Sequence, residues 1–304
     1  MSRVDMRVRK LKDLAASSRR LVTEVKHLEG RYGGRPAAGS RAAVEANDTA
    51  LGNPLWGERP IEASDLHVVL LLASAGDHLM LLSQGLVDRT ASLVTAGRGC
   101  LESAAKAAWL ADVTLSTHRR TGLWFNELVL AIHQQAWGLQ GYADFLPEHA
   151  VEAADRRQYL ELMLQAAEAH GQWGVVTRPG KPWKAPYVGE QPSSATSLVD
   201  RLLTTPDNAG PRFGRAVYQV GSAVAHANAH GFSVAGLVNV EEDGLSYPGT
   251  PLTVREVAIR HLPVIGGFFN ATCRVVNRLG WNIDNVRWQW ERTYQQWSDA
   301  AGGE

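Results

Sequence analysis

The sequence has few cysteines, no excess of charge of either sign and no leading apolar segment. Its 304 residues include two cysteines, Cys100 and Cys273, which argues against a disulfide framework and favours a reducing, cytoplasmic compartment. Basic and acidic residues number 31 each, so the formal net charge is zero and neither nucleic acid nor a membrane is an expected partner. Residues 1–28 lack the apolar centre of a signal peptide, so secretion is not indicated.

A complete metal-binding motif is also missing. His226 and His230 stand at i and i+4, a spacing at which two imidazoles can share one ion. Zinc enzymes with this spacing carry a glutamate after the first histidine, and this chain has Ala227 there. An acid from another helix would have to complete the site. We therefore predict no metal and no cofactor.

Helical periodicity covers most of the chain, and strand signals are confined to one place after Phe232. We predict an all-α fold, a single bundle of about eight helices with an N-terminal helical arm and at most one short β-hairpin. The expected layout is an arm at 1–30, an irregular linker at 31–62 and an all-α domain at 63–300. The predicted helices cover residues 4–28, 66–86, 88–111, 118–145, 148–170, 211–231, 253–279 and 284 onward.

The arm carries an imperfect heptad seam. Leu14, Leu21 and Leu28 occupy one heptad position, and Arg7 and Ser18 interrupt the pattern. A helix of this length is marginal in water, so its apolar edge must pack on the body or pair with a second copy. Because a glycine-containing segment tethers it to the body, we predict a homodimer that uses this arm.

Residues 66–86 form the most apolar stretch, long enough to raise the question of a membrane span. Asp77 and His78 lie inside it, which favours the central helix of a soluble bundle. A helix that is hydrophobic on all sides is expected to be buried on all sides. Asp77 and His78 are therefore predicted to be interior polar groups beside a substrate.

Four polar residues recur at i+4 on the helix predicted at 211–231: Tyr218, Ser222, His226 and His230. Their neighbours are mostly alanine, valine and glycine, so the stripe is expected to face the interior, where unpaired polar groups cost about 1–3 kcal/mol each. As catalytic groups, His226 would be the acid or base, Tyr218 would donate a hydrogen bond to a developing oxyanion, and Ser222 would orient them.

Further candidates for substrate binding lie elsewhere in the chain. Arg98 and Glu102 stand at i and i+4 among small residues, and this arginine could hold a carboxylate bidentately. His133 and His230 are additional candidates. Prolines and glycines interrupt residues 173–196, where aromatics such as Trp183 favour an ordered loop that covers a pocket. The alternative is a structural ion pair between Arg98 and Glu102, with the hydroxyls of the stripe as its partners.

The pattern of spaced residues resembles a bacterial family of uncharacterised all-helical proteins, some loosely related to HEPN-like domains. The residues that carry the likeness lie between about 65 and 231: Arg98, Glu102, Trp109, Asp112, Arg119, Arg120, Tyr218, Ser222 and His226. The resemblance implies a helical fold in which Arg98, Glu102, Tyr218, Ser222 and His226 form a shared polar core. It implies no assigned activity. Arg255 with His261, and Arg20 with His27, fit the Arg-x4-6-His spacing of HEPN nucleases, but matches at this number arise by chance.

Two functions follow as expectations. The first is a cytoplasmic, cofactor-independent enzyme or binding protein for a small polar metabolite, for example in specialised metabolism, with acid–base groups in a helical-bundle pocket. The alternative is a HEPN-like interaction module associated with nucleic acid. That alternative requires a local basic face, to which Arg119, Arg120, Arg156 and Arg157 would contribute.

Overall fold

The computed structural model describes residues 3–88, 92–143, 145–170, 173–178, 181, 183–204, 212–225, 238–242, 245–249 and 253–302. Within these residues the chain is mostly helical, and the predicted all-α class with one short hairpin is confirmed. The helices are α1 (Arg3–Tyr32), α2 (Arg41–Glu45), α3 (Pro60–Asp88), α4 (Ser92–Leu110), α5 (Thr117–Tyr142), α6 (Glu148–Ala169), α7 (Ala195–Leu203), α8 (Phe213–Ala225), α9 (Val254–Leu279) and α10 (Asp284–Gly302).

Two antiparallel strand pairs accompany the helices. The predicted hairpin is β3 (Val238–Glu242) paired with β4 (Leu245–Gly249). The segment at 173–196 adds a minimal ladder of two residues on each side, β1 (Val175–Val176) with β2 (Tyr187–Val188). Neither pair forms part of a larger sheet in the described chain.

Local signals set several helix boundaries. Thr253 caps α9 in a capping box with Glu256, as the sequence predicts, and Gly280 ends it at a φ of 70°. The helix predicted from residue 211 begins instead at Phe213, because Arg212 has a left-handed φ of 79° that a helix cannot contain. Pro211 and residues 226–231, including His226 and His230, lie outside the described residues.

The chain divides into two compact units. Unit 1 comprises Met1–Ala43, Asp65–Val113 and Ser194–Glu304, and unit 2 comprises Val44–Ser64 and Thr114–Ser193. Within unit 1, α9 packs against α1, α4, α7 and α10. Its side chains Ile265, Phe268 and Val275 are fully buried, so this helix forms the centre of the unit 1 core.

The seam of α1 is buried inside one chain. Leu14, Leu21 and Leu28 are 4%, 0% and 3% exposed, and α1 packs along α10. Ser18, which interrupts the apolar pattern, is buried with its hydroxyl group hydrogen-bonded on the same helix: it donates to the Leu14 carbonyl at 3.2 Å. The seam is therefore covered by α10 of the same chain, which is the other of the two arrangements that the sequence left open. Homodimerisation stays a prediction.

The expectation that α3 is buried on all sides is also wrong. Leu66, Leu70 and Leu81 are 55%, 58% and 61% exposed along one face. Asp77 lies on the same face and pairs with Lys26 of α1 at 2.8 Å, while His78 is half-buried. By length and composition alone, residues 60–86 are the single described stretch that could cross a membrane.

Unit 2 is organised by the antiparallel pair α5 and α6. Asn126 of α5 anchors the 173–196 segment: its amide donates to the Val188 carbonyl at 3.0 Å and accepts the Val188 N–H at 2.8 Å. Trp173 stacks on Phe125 with 5.7 Å between ring centroids. These contacts hold the described residues around them in place, and Trp183 of the same segment is exposed.

Glu29 of α1 gives a pH-dependent prediction for stability. Burial raises the pKa of its carboxyl to about 7; the charge of Lys26 opposes this rise, and the charge of Asp77 adds to it. The Oε1 atom of Glu29 is buried and has no hydrogen-bond partner among the described residues. Because the folded-state pKa lies above the unfolded value, ionisation costs folded-state stability as pH rises from about 4.5 to about 7. We expect the Glu29→Gln variant to gain stability relative to the wild type over this range.

Urea unfolding at about pH 5 and about pH 8 measures the gain for Glu29→Gln. Glu24→Gln, on the same helix, is the matched control and should track the wild type at both values. Equal differences between Glu29→Gln and the wild type at the two pH values would contradict the assignment.

Candidate functional site

An apolar cavity lies within unit 1 between α4, α8 and α9. Its volume is about 310 Å³, at the lower end of the range of about 300–1,000 Å³ seen for small-molecule pockets. Most of the described wall is aliphatic or aromatic and includes Leu93, Leu101, Phe213, Val217, Val220 and Val264. The polar residues of the wall are Arg98, Tyr218, Arg260 and His261.

Two glycines in the wall let the helices approach. A Cβ added at Gly221 of α8 would lie 3.1 Å from Cβ of Arg98, and one at Gly97 of α4 would lie 3.3 Å from Cδ1 of Leu82. Both distances are shorter than ordinary carbon contacts. The absence of a side chain at Gly221 brings the backbone of α8 close to the base of Arg98, and this places Tyr218 against α4.

Arg98, Glu102 and Tyr218 form a connected polar cluster at the cavity wall. Nε of Arg98 donates to Oε1 of Glu102 at 2.8 Å, and the Tyr218 hydroxyl donates to the same carboxylate oxygen. The Arg98 guanidinium carbon lies 5.4 Å from the centroid of the Tyr218 ring. Three residues predicted to share a polar core are therefore in contact, across two helices and 116 positions of sequence.

The electrostatics of the cluster fix its protonation. Burial, and then the hydrogen bond to Glu102, raises the pKa of the Tyr218 hydroxyl, so this group stays protonated. Burial opposes the charge of Arg98, but its hydrogen bonds to Glu102 and Tyr218 outweigh burial and raise the pKa of the guanidinium. Arg98 and Glu102 thus remain an ion pair.

The hydroxyl of Tyr218 is engaged in this geometry. A phenol has one proton to donate, and Tyr218 donates it to Glu102, so the predicted donation to an oxyanion in the cavity stays a prediction. Its neighbour on the stripe, Ser222, is half-buried on α8. His226 and His230, the acid–base and binding candidates of the same stripe, lie outside the described residues.

His261 is a wall residue that the sequence analysis did not select. It is 5% exposed, and its Nδ1 lies 2.8 Å from the Val257 carbonyl, which makes Nδ1 the donor and leaves Nε2 as an acceptor. Burial lowers the pKa of the imidazole to about 4, so the ring is neutral near pH 7. The available signal was its spacing from Arg255, but Arg255 is exposed and donates to the Ala301 carbonyl.

Other predicted substrate-binding residues are not among those that line the cavity. Asp77 is exposed on α3 and paired with Lys26, so the prediction that it is an interior group is wrong. His78 is half-buried on the same helix, with its imidazole against Gly99. His133 and Trp183 belong to unit 2, half-buried on α5 and exposed in the 173–196 segment respectively.

The predicted basic face loses one of its four arginines. Arg120 is 1% exposed and pairs with Glu45 at 2.6 Å inside unit 2, so it cannot contact a nucleic acid at the surface. Arg119 donates to both carboxylate oxygens of Glu190, at 2.7 and 3.0 Å. Neither arginine presents an uncompensated charge.

The described part of the chain contains no group of three or more histidine, cysteine, aspartate or glutamate side chains placed to hold a metal ion. Comparison of the chain with protein-family models, with curated proteins and with solved structures gave no match.

Proposed function

We propose that this protein is a cytoplasmic small-molecule binding protein or enzyme whose ligand occupies the cavity between α4, α8 and α9. The observation that carries the proposal is the Arg98–Glu102–Tyr218 cluster at the edge of an otherwise apolar cavity. Small-molecule sites have this composition, in which an apolar wall supplies affinity and a few fixed polar groups orient the ligand. The two-cysteine composition supports the cytoplasmic location.

The wall favours a ligand with a larger apolar part than a small polar metabolite has. Aliphatic side chains from all three helices surround the space, and burial of apolar surface is worth about 25 cal/mol per Å². The polar groups would contact one end of such a molecule. The cavity is thus suited to an amphipathic ligand.

Acid–base chemistry on that ligand would use the polar groups of the wall. Arg98 and Tyr218 line the cavity, and both donate to Oε1 of Glu102, which is not among the wall residues and fixes their orientation. Nε2 of His261 supplies a hydrogen-bond acceptor in the same wall. The proposed chemistry uses these side chains without a cofactor.

Binding of the neutral fluorophore N-phenyl-1-naphthylamine tests this proposal. We expect its fluorescence to rise with the wild-type protein, and the Val217→Trp variant to weaken binding by about tenfold or more because the indole fills the cavity. Val217 and the control position Gln219 lie on the same helix, and Gln219 is exposed outside the described wall. The Gln219→Trp variant should bind the dye as the wild type does.

Circular dichroism and thermal melting of both variants show whether each remains folded, and Val220→Phe serves as a second cavity-filling variant. Unchanged dye affinity in folded Val217→Trp and Val220→Phe, or no binding by the wild type, would overturn the proposal.

A further inference from the structure

We propose that the ligand of this cavity is an anion, with an apolar body inside the cavity and one carboxylate, sulfonate or phosphate group bound by Arg260. This inference rests on the proposed function, since it names the chemical class of the molecule that the cavity binds. It adds a binding residue that lies outside the Arg98–Glu102–Tyr218 cluster.

The first step is the balance of charge around the cavity. Arg98 is one of two cationic residues in the described wall, and the carboxylate of Glu102 offsets its charge at 2.8 Å. His261 is neutral near pH 7, because its burial lowers the pKa of the imidazole to about 4. Arg260 therefore contributes the remaining positive charge.

The second step concerns the partners of Arg260. Its side chain is half-buried in the cavity wall, and among the described residues its electrostatic neighbours are Glu256 and His261. The acid one turn before it, Glu256, is already engaged: its Oε2 accepts from the Thr253 backbone N–H at 2.7 Å and from the Thr253 hydroxyl at 3.0 Å. Thr253 thus holds Glu256 at the cap, and the carboxylate acts on Arg260 through its charge.

The third step is the physical consequence of this placement. The Arg260 guanidinium lines an apolar cavity, and an anionic group on a ligand there would bind it with charge-assisted, bidentate hydrogen bonds. Arginine is suited to planar carboxylates and to phosphate or sulfonate groups because its donors form a rigid fork. An apolar body with an anionic end complements both the wall and this charge.

A pair of dyes that differ only in the anionic group tests the inference. N-phenyl-1-naphthylamine is neutral, and 8-anilinonaphthalene-1-sulfonate has the same rings with a sulfonate. For each dye, the signal from the cavity is the difference between the wild type and the Val217→Trp variant. Dye that binds to other apolar surfaces gives the same signal in both proteins and cancels. We expect the wild type to prefer the sulfonate, and Arg260→Gln to weaken sulfonate binding by about tenfold while the neutral dye changes less than about twofold.

Arg255→Gln is the matched control, because Arg255 is exposed on the same helix and is not among the wall residues. It should leave both dyes unaffected. Equal affinity of the wild type for the two dyes, or an equal effect of Arg260→Gln on both, would overturn the anion assignment while leaving the proposed cavity intact. If Val217→Trp reduces the binding of neither dye, the proposed function itself is overturned, and the anion assignment with it.

Discussion

The Asp65→Asn variant is expected to lose about 3–5 kcal/mol of unfolding free energy, because the substitution leaves a buried arginine without its counter-charge. Arg278 of α9 is 0% exposed and donates to both carboxylate oxygens of Asp65, at 2.5 Å from Nε and 3.0 Å from Nη2. Asparagine keeps the shape of the side chain but removes the charge. The cost is therefore electrostatic and does not come from a cavity.

Urea unfolding of Asp65→Asn measures the loss, and Asp77→Asn is the matched control. Asp77 lies on the same helix and also pairs with a cation, Lys26 at 2.8 Å, but both of these side chains are about half or more exposed. Exposed pairs contribute about 0–1 kcal/mol, so the control should unfold close to the wild type. Similar losses for the two variants would show that burial of the Asp65–Arg278 pair has no energetic importance.

The pair itself could not be predicted from the sequence. Asp65 and Arg278 are 213 positions apart, and the second buried pair, Arg120 with Glu45, is separated by 75. Nothing local distinguishes these four charged residues from the exposed ones, because the cost of burying a charge depends on which partner the fold brings to it. Arg120 was for this reason assigned to a basic surface.

The helical architecture, in contrast, is encoded locally. Apolar residues at helical spacing predicted eight of the ten described helices, and the short helices α2 and α7 are the additions. The capping box at Thr253 and the start of α10 at Asp284 were readable because caps are local hydrogen-bonding patterns. The exposed face of α3 was not readable, since its apolar composition does not tell which neighbours cover it.

The candidate site could be predicted in part, unlike the buried ion pairs, but less completely than the helices. Residues i and i+4 on one helix meet, so the contact of Arg98 with Glu102 followed from spacing alone. Tyr218 was identified from its stripe, but the direction in which it donates its proton depends on the approach of α8 to α4. Arg260 and His261 were missed because an arginine and a histidine on a helix carry no local sign of facing a cavity.

The Leu21→Ala variant is expected to destabilise the protein by about 2–5 kcal/mol, the cost of deleting a large buried side chain. Leu21 is fully buried on α1, in the seam that packs against α10 of the same chain. A polar contact fixes the same interface, because the Thr293 hydroxyl donates to the Ser17 carbonyl at 3.2 Å. The substitution should therefore lower the unfolding free energy of a single chain. If two copies shared the seam, the substitution would instead weaken the association between them.

Denaturant unfolding over about a hundredfold range of protein concentration separates these cases, since the stability of a coupled dimer depends on concentration and that of a chain by itself does not. We expect the difference between Leu21→Ala and the wild type to be the same at every concentration. Met6→Ala is the control, because Met6 is exposed on the same helix and its truncation should change stability by no more than about 0.5 kcal/mol. If the denaturant midpoint of the wild type rises with protein concentration and that of Leu21→Ala does not, the α1 seam is part of a dimer interface.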